Sequence, residues 1–438
     1  MHLLYSLLTG LAMIMLLPYF LVRGLREGKH AHSLGQRLGF LPDVSKRLGE
    51  GSAGTIWVHA VSVGEVLAAL PLGRRLMELF PERKLVVSTT TRTGQIVARE
   101  RMGFAHDVFY FPLDWAWCVR RTLRAVRPGI VVILETEIWP NFLRETRRTG
   151  VPVVFVNGRI SDRSFRGYRR VNGFLGGFVR RVLNDGALFL MQSREDADRL
   201  LSLGVAPERV SVTGNLKYDL QPPSPGPFVC WLQAQVEQQE RRPLAVAGSV
   251  VEEEEEQILA AYDILSRQWR RALLVLAPRK PDRFDAAAEI VCRDGWSLMR
   301  RSALSPDSQL DENTEVILLD TVGELAGLYG LADVVFVGGS LVPSGGHNIL
   351  EPAWFSRAPV FGPSMENFRA IAQQFLASRA ALQVSSGEEL GEAWVKLVKD
   401  KPWREAMGEA ARALVERNRG ATERAVEQLV AVLQGNRR

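Results

Sequence analysis

Three ionisable residues in the first half of the chain stand at the same kind of junction, at or just past the end of an apolar, β-branched run. In VHAVSVGEVLAAL (58–70), Glu65 follows Gly64 where the run turns into a helical pattern; ETEIWPN (135–141) puts Glu135 at the end of GIVVILE (129–135), and GNLKYD (214–219) puts Lys217 just past RVSVTGN (209–215). A carboxylate so placed can take a proton from an attacking hydroxyl, and a lysine can neutralise charge that develops in a transition state. Each also has a plainer reading. Glu65 is an acid in a first helical turn, worth typically a few tenths of a kcal/mol against the helix dipole. Three charges along one edge also suit a salt-bridge network.

A second set lies in the C-terminal half. In VFVGGSLVPSGGHNILEPAWF (335–355), an apolar run ends in Gly338 and Gly339, a loop carries Ser344, Gly345 and Gly346, and a helix is expected from about His347 and Asn348. Glycines let a backbone approach a ligand, and a helix start offers unpaired N–H groups, so the combination reads as an anion site. Glu351, one turn on, can accept hydrogen bonds from a ribose diol. Together with Asn348, Ile349 and Leu350 it suggests a nucleotide phosphate with its sugar; the plainer reading is a tight turn followed by a first-turn acid. LAPRKPDRF (276–284) brings Pro278 and Arg279 to another strand end, where a guanidinium can clamp phosphate oxygens. DTVGELAGLYG (320–330) places Val322, Gly323 and Glu324 at a further turn whose backbone could read a base edge. Neither the dinucleotide fingerprint nor the Walker pattern is present, and GFLGGF (173–178) follows no strand. The D-x-D of Asp196 and Asp198 falls in a helical pattern where i and i+2 do not share a face, and the histidines show no zinc spacing, so no metal site is expected.

The elements that must position these residues alternate apolar strands with amphipathic stretches. TIWVHAV (55–61), KLVVSTTT (84–91), GIVVILE, VPVVFVN (151–157), GALFLMQ (186–192) and RVSVTGN are followed, past the proline-rich QPPSPGP (221–227), by PLAVAGS (243–249), ALLVLAP (272–278), TEVILLD (314–320), ADVVFVGG (332–339) and APVFGP (358–363). Near-continuous hydrophobic runs suit parallel sheets covered on both faces. The chain of 438 residues is too long for one ordinary core. The expected architecture is therefore α/β, two doubly wound Rossmann-like domains with a cleft between them: residues 50–220, a linker over 221–242, and residues 243–438 including terminal helices. Ligands of such sheets bind outside the carboxyl ends of the strands, where all the residues above lie.

Composition narrows the partners. The formal charge is +6, and Arg144, Arg147, Arg148, Arg159, Arg163, Arg166, Arg169, Arg170, Arg180 and Arg181 crowd one stretch. Such a density attracts polyanions. Without interleaved aromatics or finger spacing, nucleic acid is not favoured, and solvated helix faces account for part of the set. The apolar run LLYSLLTGLAMIMLLPYFLV (3–22) is long enough to cross roughly 30 Å of hydrocarbon as a helix. It has no basic n-region or cleavage site, so residues 1–24 read as a retained anchor, spanning or lying in the interface. Arg23, Arg26 and Lys29 then place the body on the cytoplasmic side. Three scattered cysteines, Cys118, Cys230 and Cys292, fit a reducing compartment.

HAVSVGE, ETEIWPN, NGRISDRSFRGYRR, GNLKYD and GGSLVPSGGHNILEP, in this order after an apolar leader, resemble the bacterial 3-deoxy-D-manno-octulosonic acid (Kdo) transferases over nearly the whole chain. The resemblance implies a GT-B glycosyltransferase that moves Kdo from CMP-Kdo, with inversion and without metal or cofactor. The acceptor it implies is the acylated disaccharide bisphosphate precursor of lipid A (lipid IVA), at the cytoplasmic face of the inner membrane. It assigns Glu65 as general base and Glu135 and Lys217 to support of the transition state. CMP contacts fall to Pro278, Arg279, Val322, Gly323, Glu324, Asn348, Ile349, Leu350 and Glu351, beside the Gly345–Gly346 loop. The chain departs from the family where histidines are usual, reading Val251, Lys280 and Ser364, and donor contacts there stay open. Two other readings remain: a membrane-bound nucleotide- or lipid-binding module without turnover, and a GT-B enzyme using a UDP-sugar and another lipid acceptor.

Overall fold

Strand residues of alternating parity send side chains to opposite faces, and in this chain both sets are apolar. In β1 (Thr55–His59), Ile56 and Val58 point into a cluster with Val66, Leu72 and Leu76, whereas Trp57 points into one with Phe109, Phe142 and Val182. Such a strand is satisfied only in the interior of a parallel sheet with helices on both sides. The structure, a computed structural model, describes residues 5, 6, 9, 10, 31–49, 54–305 and 308–435. It places β1 with β2 (Leu85–Thr89), β3 (Asp107–Tyr110), β4 (Pro128–Leu134), β5 (Val153–Gly158), β6 (Leu188–Met191) and β7 (Val210–Val212), in the order β3-β2-β1-β4-β5-β6-β7. All pairs are parallel; Trp57, for example, lies opposite Val86 on one side and Val131 on the other.

A second sheet repeats the plan. Its strands are β8 (Leu244–Val250), β9 (Leu273–Pro278), β10 (Leu298–Arg300), β11 (Val316–Leu318), β12 (Val334–Val337), β13 (Pro359–Phe361) and β14 (Leu382–Gln383), all parallel, in the order β10-β11-β9-β8-β12-β13-β14. Tyr262 and Trp394 are among its fully buried side chains. The helix Gly387–Lys399 lies close on Glu255–Ser266, because a Cβ on Gly387 would come within 2.3 Å of the Gln257 carbonyl oxygen. Three strands escaped the sequence reading: β3, β10 and β14. They are four, three and two residues long, and two of them, β10 and β14, are half-exposed or exposed.

Two boundaries differ from expectation. One unit comprises residues 1–220 with 418–438, the other residues 221–417. The C-terminal helix Ala421–Leu433 therefore does not close the second domain. Its Ala425, Val426 and Leu429 are buried in the first unit's cluster with Leu72 and Leu76. The expected linker over 221–242 shortens as well, because Pro227–Gln238 is a helix with Phe228, Val229, Leu232 and Val236 buried in the second unit. The expected anchor over residues 3–22 lies for the most part outside the described residues, among which no helix is long and apolar enough to cross a membrane.

Candidate active site

In the first sheet, strand order runs outward from β1 in one direction and from β4 in the other. After β1 the chain forms the helix Val63–Leu79 on one face; after β4 it forms Pro140–Arg148 on the other. The carboxyl ends of β1 and β4 thus flank the switch point where open α/β sheets bind ligands. Glu65 and Glu135 are the acids that follow these two strands. Glu65 is 8% exposed, and its two oxygens are held from behind: Oε2 accepts from the Val61 amide (2.8 Å) and Oε1 from the Ser62 hydroxyl (2.9 Å). Burial, and then the charge of Glu135, push its pKa up to about 7 against the pull of those two hydrogen bonds. A carboxyl group fixed in orientation and poised near neutrality is suited to accept a proton.

Glu135 has a φ of 57°, a left-handed conformation that costs a non-glycine residue of order 1 kcal/mol and is commonest where function demands it. Its amide donates to the Val156 carbonyl (2.9 Å), so the kink is held by β5. Lys217 stands on the 3₁₀ turn Leu216–Asp219 after β7, with Nζ 3.8 Å from Glu135 Oε1. All three sequence-derived candidates of this unit are therefore at one edge, with Lys217 and Glu135 paired.

In the second sheet the switch point lies between β8 and β12. Gly345 (φ 89°) and Gly346 (φ 73°) form the expected loop: the Gly345 amide donates to Ser364 Oγ (2.9 Å) and the Gly346 amide to the Gly339 carbonyl (2.7 Å). The expected helix is only one turn, Leu350–Ala353, preceded by residues 345–348 without regular secondary structure. A dipole develops over successive turns, so this helix start contributes little to anion binding. Asn348 instead caps locally, its Oδ1 accepting from the Leu350 amide and its Nδ2 donating to Glu351 Oε1, each at 3.2 Å. Ile349 and Leu350 are buried. Burial raises the Glu351 pKa to about 7, opposed by Asn348 and by the charge of Arg279. Arg279 follows β9 with an exposed side chain, its amide bonded to the Val250 carbonyl (2.7 Å); Pro278 ends the strand and is buried. Val322 is 80% exposed and Gly323 has a φ of 96°. The Glu324 carboxylate is engaged by Arg301 through two bonds of 3.1 Å and by Thr321 Oγ1.

A model of the 3-deoxy-D-manno-octulosonic-acid transferase (kdotransferase) family matches residues 32–220. The 3-deoxy-D-manno-octulosonic acid transferase of Haemophilus influenzae is 31% identical over 99% of this chain and 99% of its own; that of Bordetella pertussis is 34% identical over 86% and 87%. The chain belongs to the Kdo transferases. It is a glycosyltransferase, and its two α/β domains are of GT-B type. The solved structure of Anabaena Alr3699/HepE in complex with UDP and glucose, 13% identical over 87% of this chain and all of that one, has the same fold with a TM-score of 0.57.

Sequence reasoning missed three residues that place the transferase's candidates. Asn157 (φ 60°), at the end of β5, accepts from the Leu216 amide through Oδ1 (3.0 Å) and so seats the Lys217 turn. Asp219 closes that turn from the other side, accepting from the Gly420 amide (2.6 Å) and the Thr422 amide (2.5 Å) at the start of the C-terminal helix. Glu254 is fully buried and bonded to the turn after β12. Of the positions where the resemblance led one to expect histidine, Ser364 bridges the Gly345 amide and Glu366 Oε2 (2.9 Å), Val251 gives its amide to Glu254, and Lys280 is exposed. Asp196 and Asp198 do not act together: Asp196 accepts from the Ile160 amide, and Asp198 faces Arg194.

Eight of the ten arginines of the basic stretch fall into two groups. Arg144, Arg147, Arg180 and Arg181 line a concavity of about 540 Å³, where Arg147 pairs with Asp185 at 2.7 Å. Arg163, Arg166, Arg169 and Arg170 lie on Asp162–Phe174, a helix with no buried residue that ends in Phe174, 89% exposed.

Proposed function

We propose that this Kdo transferase carries Kdo from CMP-Kdo to a sugar hydroxyl of the acylated disaccharide bisphosphate precursor of lipid A, with inversion at the anomeric carbon. The observation that carries the reading is Glu65, a buried carboxyl at the switch point of the first sheet, held at Oε1 and Oε2 and raised to about 7. The acceptor oxygen attacks the anomeric carbon of Kdo, and its proton passes to the Glu65 carboxylate. The bond from that carbon to the phosphate oxygen breaks, and its electron pair leaves with CMP. A base of this kind contributes typically 10²–10⁴ in rate. Lys217, beside Glu135, supplies positive charge toward the carboxylate-bearing sugar as the bond breaks.

On the donor side, Arg279 holds the single phosphate and Glu351 the ribose. The backbone at Val322, Gly323 and Glu324 reads the base, and Gly345 and Gly346 allow close approach. A monophosphate leaving group needs less neutralisation than a diphosphate, which supports a reaction without metal. The apolar run 3–22, the basic residues after it and the two arginine groups support work at the inner membrane on an anionic, lipid-borne acceptor.

Mass spectrometry of the product from purified protein, CMP-Kdo and tetraacyl acceptor tests the proposal. The expected result is acceptor heavier by Kdo with matching release of CMP, reduced at least a hundredfold in Glu65→Gln. CMP binding without product would leave a nucleotide-binding module, and competition by UDP but not CMP would point to a UDP-sugar donor.

A further inference from the structure

The turn after β12 carries the glycines that the sequence offers as a phosphate cradle, yet its amides are already occupied. Glu254, in the acidic run VVEEEEEQ after β8, is 0% exposed. Its Oε2 accepts from the amides of Val251 (3.0 Å) and Gly339 (2.7 Å), and its Oε1 from those of Ser340 (2.8 Å) and Leu341 (2.9 Å). One carboxylate thus takes four backbone donors from the turns that follow β8 and β12. These are the neighbouring strands at the switch point of the second sheet.

The clamp leads to the donor residues in short steps. Gly339, fixed through its amide, accepts at its carbonyl from the Gly346 amide (2.7 Å), while the Gly338 carbonyl is bonded to His347 Nδ1 (2.8 Å). Ser340, fixed in the same way, accepts from the Ser364 amide at its carbonyl (2.9 Å) and from the Gly362 amide at Oγ (2.8 Å), and Ser364 in turn holds Gly345. The space is filled to the atom: a Cβ on Gly338 would stand 2.6 Å from the Ser249 carbonyl oxygen and 2.8 Å from Glu254 Oε2. The Glu254 neighbours in the run do other work, since Glu255 pairs with Arg283 and Glu256 with Arg293.

We propose that Glu254 is the positioning residue of the donor site: an internal anion that occupies the Gly339–Leu341 amides and thereby sets the Gly345–Glu351 segment that meets the nucleotide. The inference rests on the donor reading above for its functional consequence. It also assigns donor phosphate recognition to Arg279 rather than to the amides after β12, with the Gly345–Gly346 loop, whose own amides are taken by Ser364 and Gly339, allowing close approach. A carboxylate that accepts four N–H bonds has no neutral equivalent, because an amide in its place turns one acceptor into a donor aimed at two N–H groups.

Glu254→Gln and Glu254→Asp test this with steady-state kinetics and calorimetric titration of CMP. The expected result is a donor KM and CMP Kd raised at least tenfold in Glu254→Gln with acceptor KM unchanged, and partial recovery in Glu254→Asp, which keeps the charge. A purely structural role would lower the melting temperature and the active fraction but leave both constants as in the wild type, and that outcome overturns the proposal. If neither variant folds, amide exchange in the wild-type protein decides. The amides of residues 339–341 are expected to be protected before CMP is added and unchanged after it, whereas those of 346–351 gain protection. Free exchange at 339–341 that CMP alone suppresses would refute the clamp. Absence of CMP binding to the wild type, with 339–341 protected, would instead refute the donor reading.

Discussion

The raised pKa of Glu65 fixes where activity is lost on acidification. A base must be ionised to act, so with a pKa of about 7 the active fraction is roughly a tenth at pH 6 and roughly a hundredth at pH 5. A glutamate with its ordinary pKa would still be almost fully active at pH 6. The assay is CMP release at saturating donor with acceptor varied, so that kcat/KM for the acceptor reports Glu65 before the acceptor binds. Donor saturation also separates Glu65 from Glu351, which titrates in the same range but acts through donor binding.

Glu135→Gln is the informative perturbation. It removes the second cause of the shift and leaves the first, burial, so the acid limb should move below pH 7 and remain above 4.5. The same group couples to stability. Its folded pKa lies above the unfolded value, so the fold favours the neutral acid. The contribution is full below pH 4.5 and is lost as pH rises through 7, a difference of about 3 kcal/mol at most. Glu65→Gln stays neutral and should therefore melt higher than wild type at pH 8, with the difference vanishing by pH 4. An acid limb at pH 4.5 in the wild type, or one near 7 that survives in Glu65→Gln, would refute the assignment of the base.

Glu351→Ala should weaken CMP binding in a calorimetric titration while leaving acceptor KM alone; unchanged affinity removes the ribose contact. Asp219→Asn weakens two charge-assisted bonds to Gly420 and Thr422, worth of order 1.5–3 kcal/mol each. It should lower the melting of the first unit and cut kcat through a misplaced Lys217, with CMP affinity unaffected. Gly248→Ala puts a Cβ 2.0 Å from the hydroxyl of fully buried Tyr329. Overpacking of this kind costs typically 1–3 kcal/mol, so calorimetry should show the second unit melting earlier and the first unchanged.

The parts of the fold legible in the sequence were those whose signal is local. β4, for instance, is an unbroken apolar run because both its faces are covered, and the same feature reveals most of the interior strands. β10 and β14 lie at a sheet edge, have two or three residues each and leave no such run. Charged runs hide their packing in the same way. Of the ten arginines crowded into 144–181, four line one concavity and four lie on the helix Asp162–Phe174. VVEEEEEQ is uniform in charge, yet Glu254 and Glu255 within it are buried.

Catalytic candidates could be named because each sits at the carboxyl end of a strand, which an apolar run marks within a residue or two. The residues that hold them in place could not. Asp219 meets amides some two hundred positions away and Glu254 meets amides more than eighty away, and nothing near either in sequence records the partner. A reacting group is thus legible from its own strand, whereas its support depends on which strands are neighbours. Strand order is settled by the packing of whole faces, so the supporting residues become visible only with the fold.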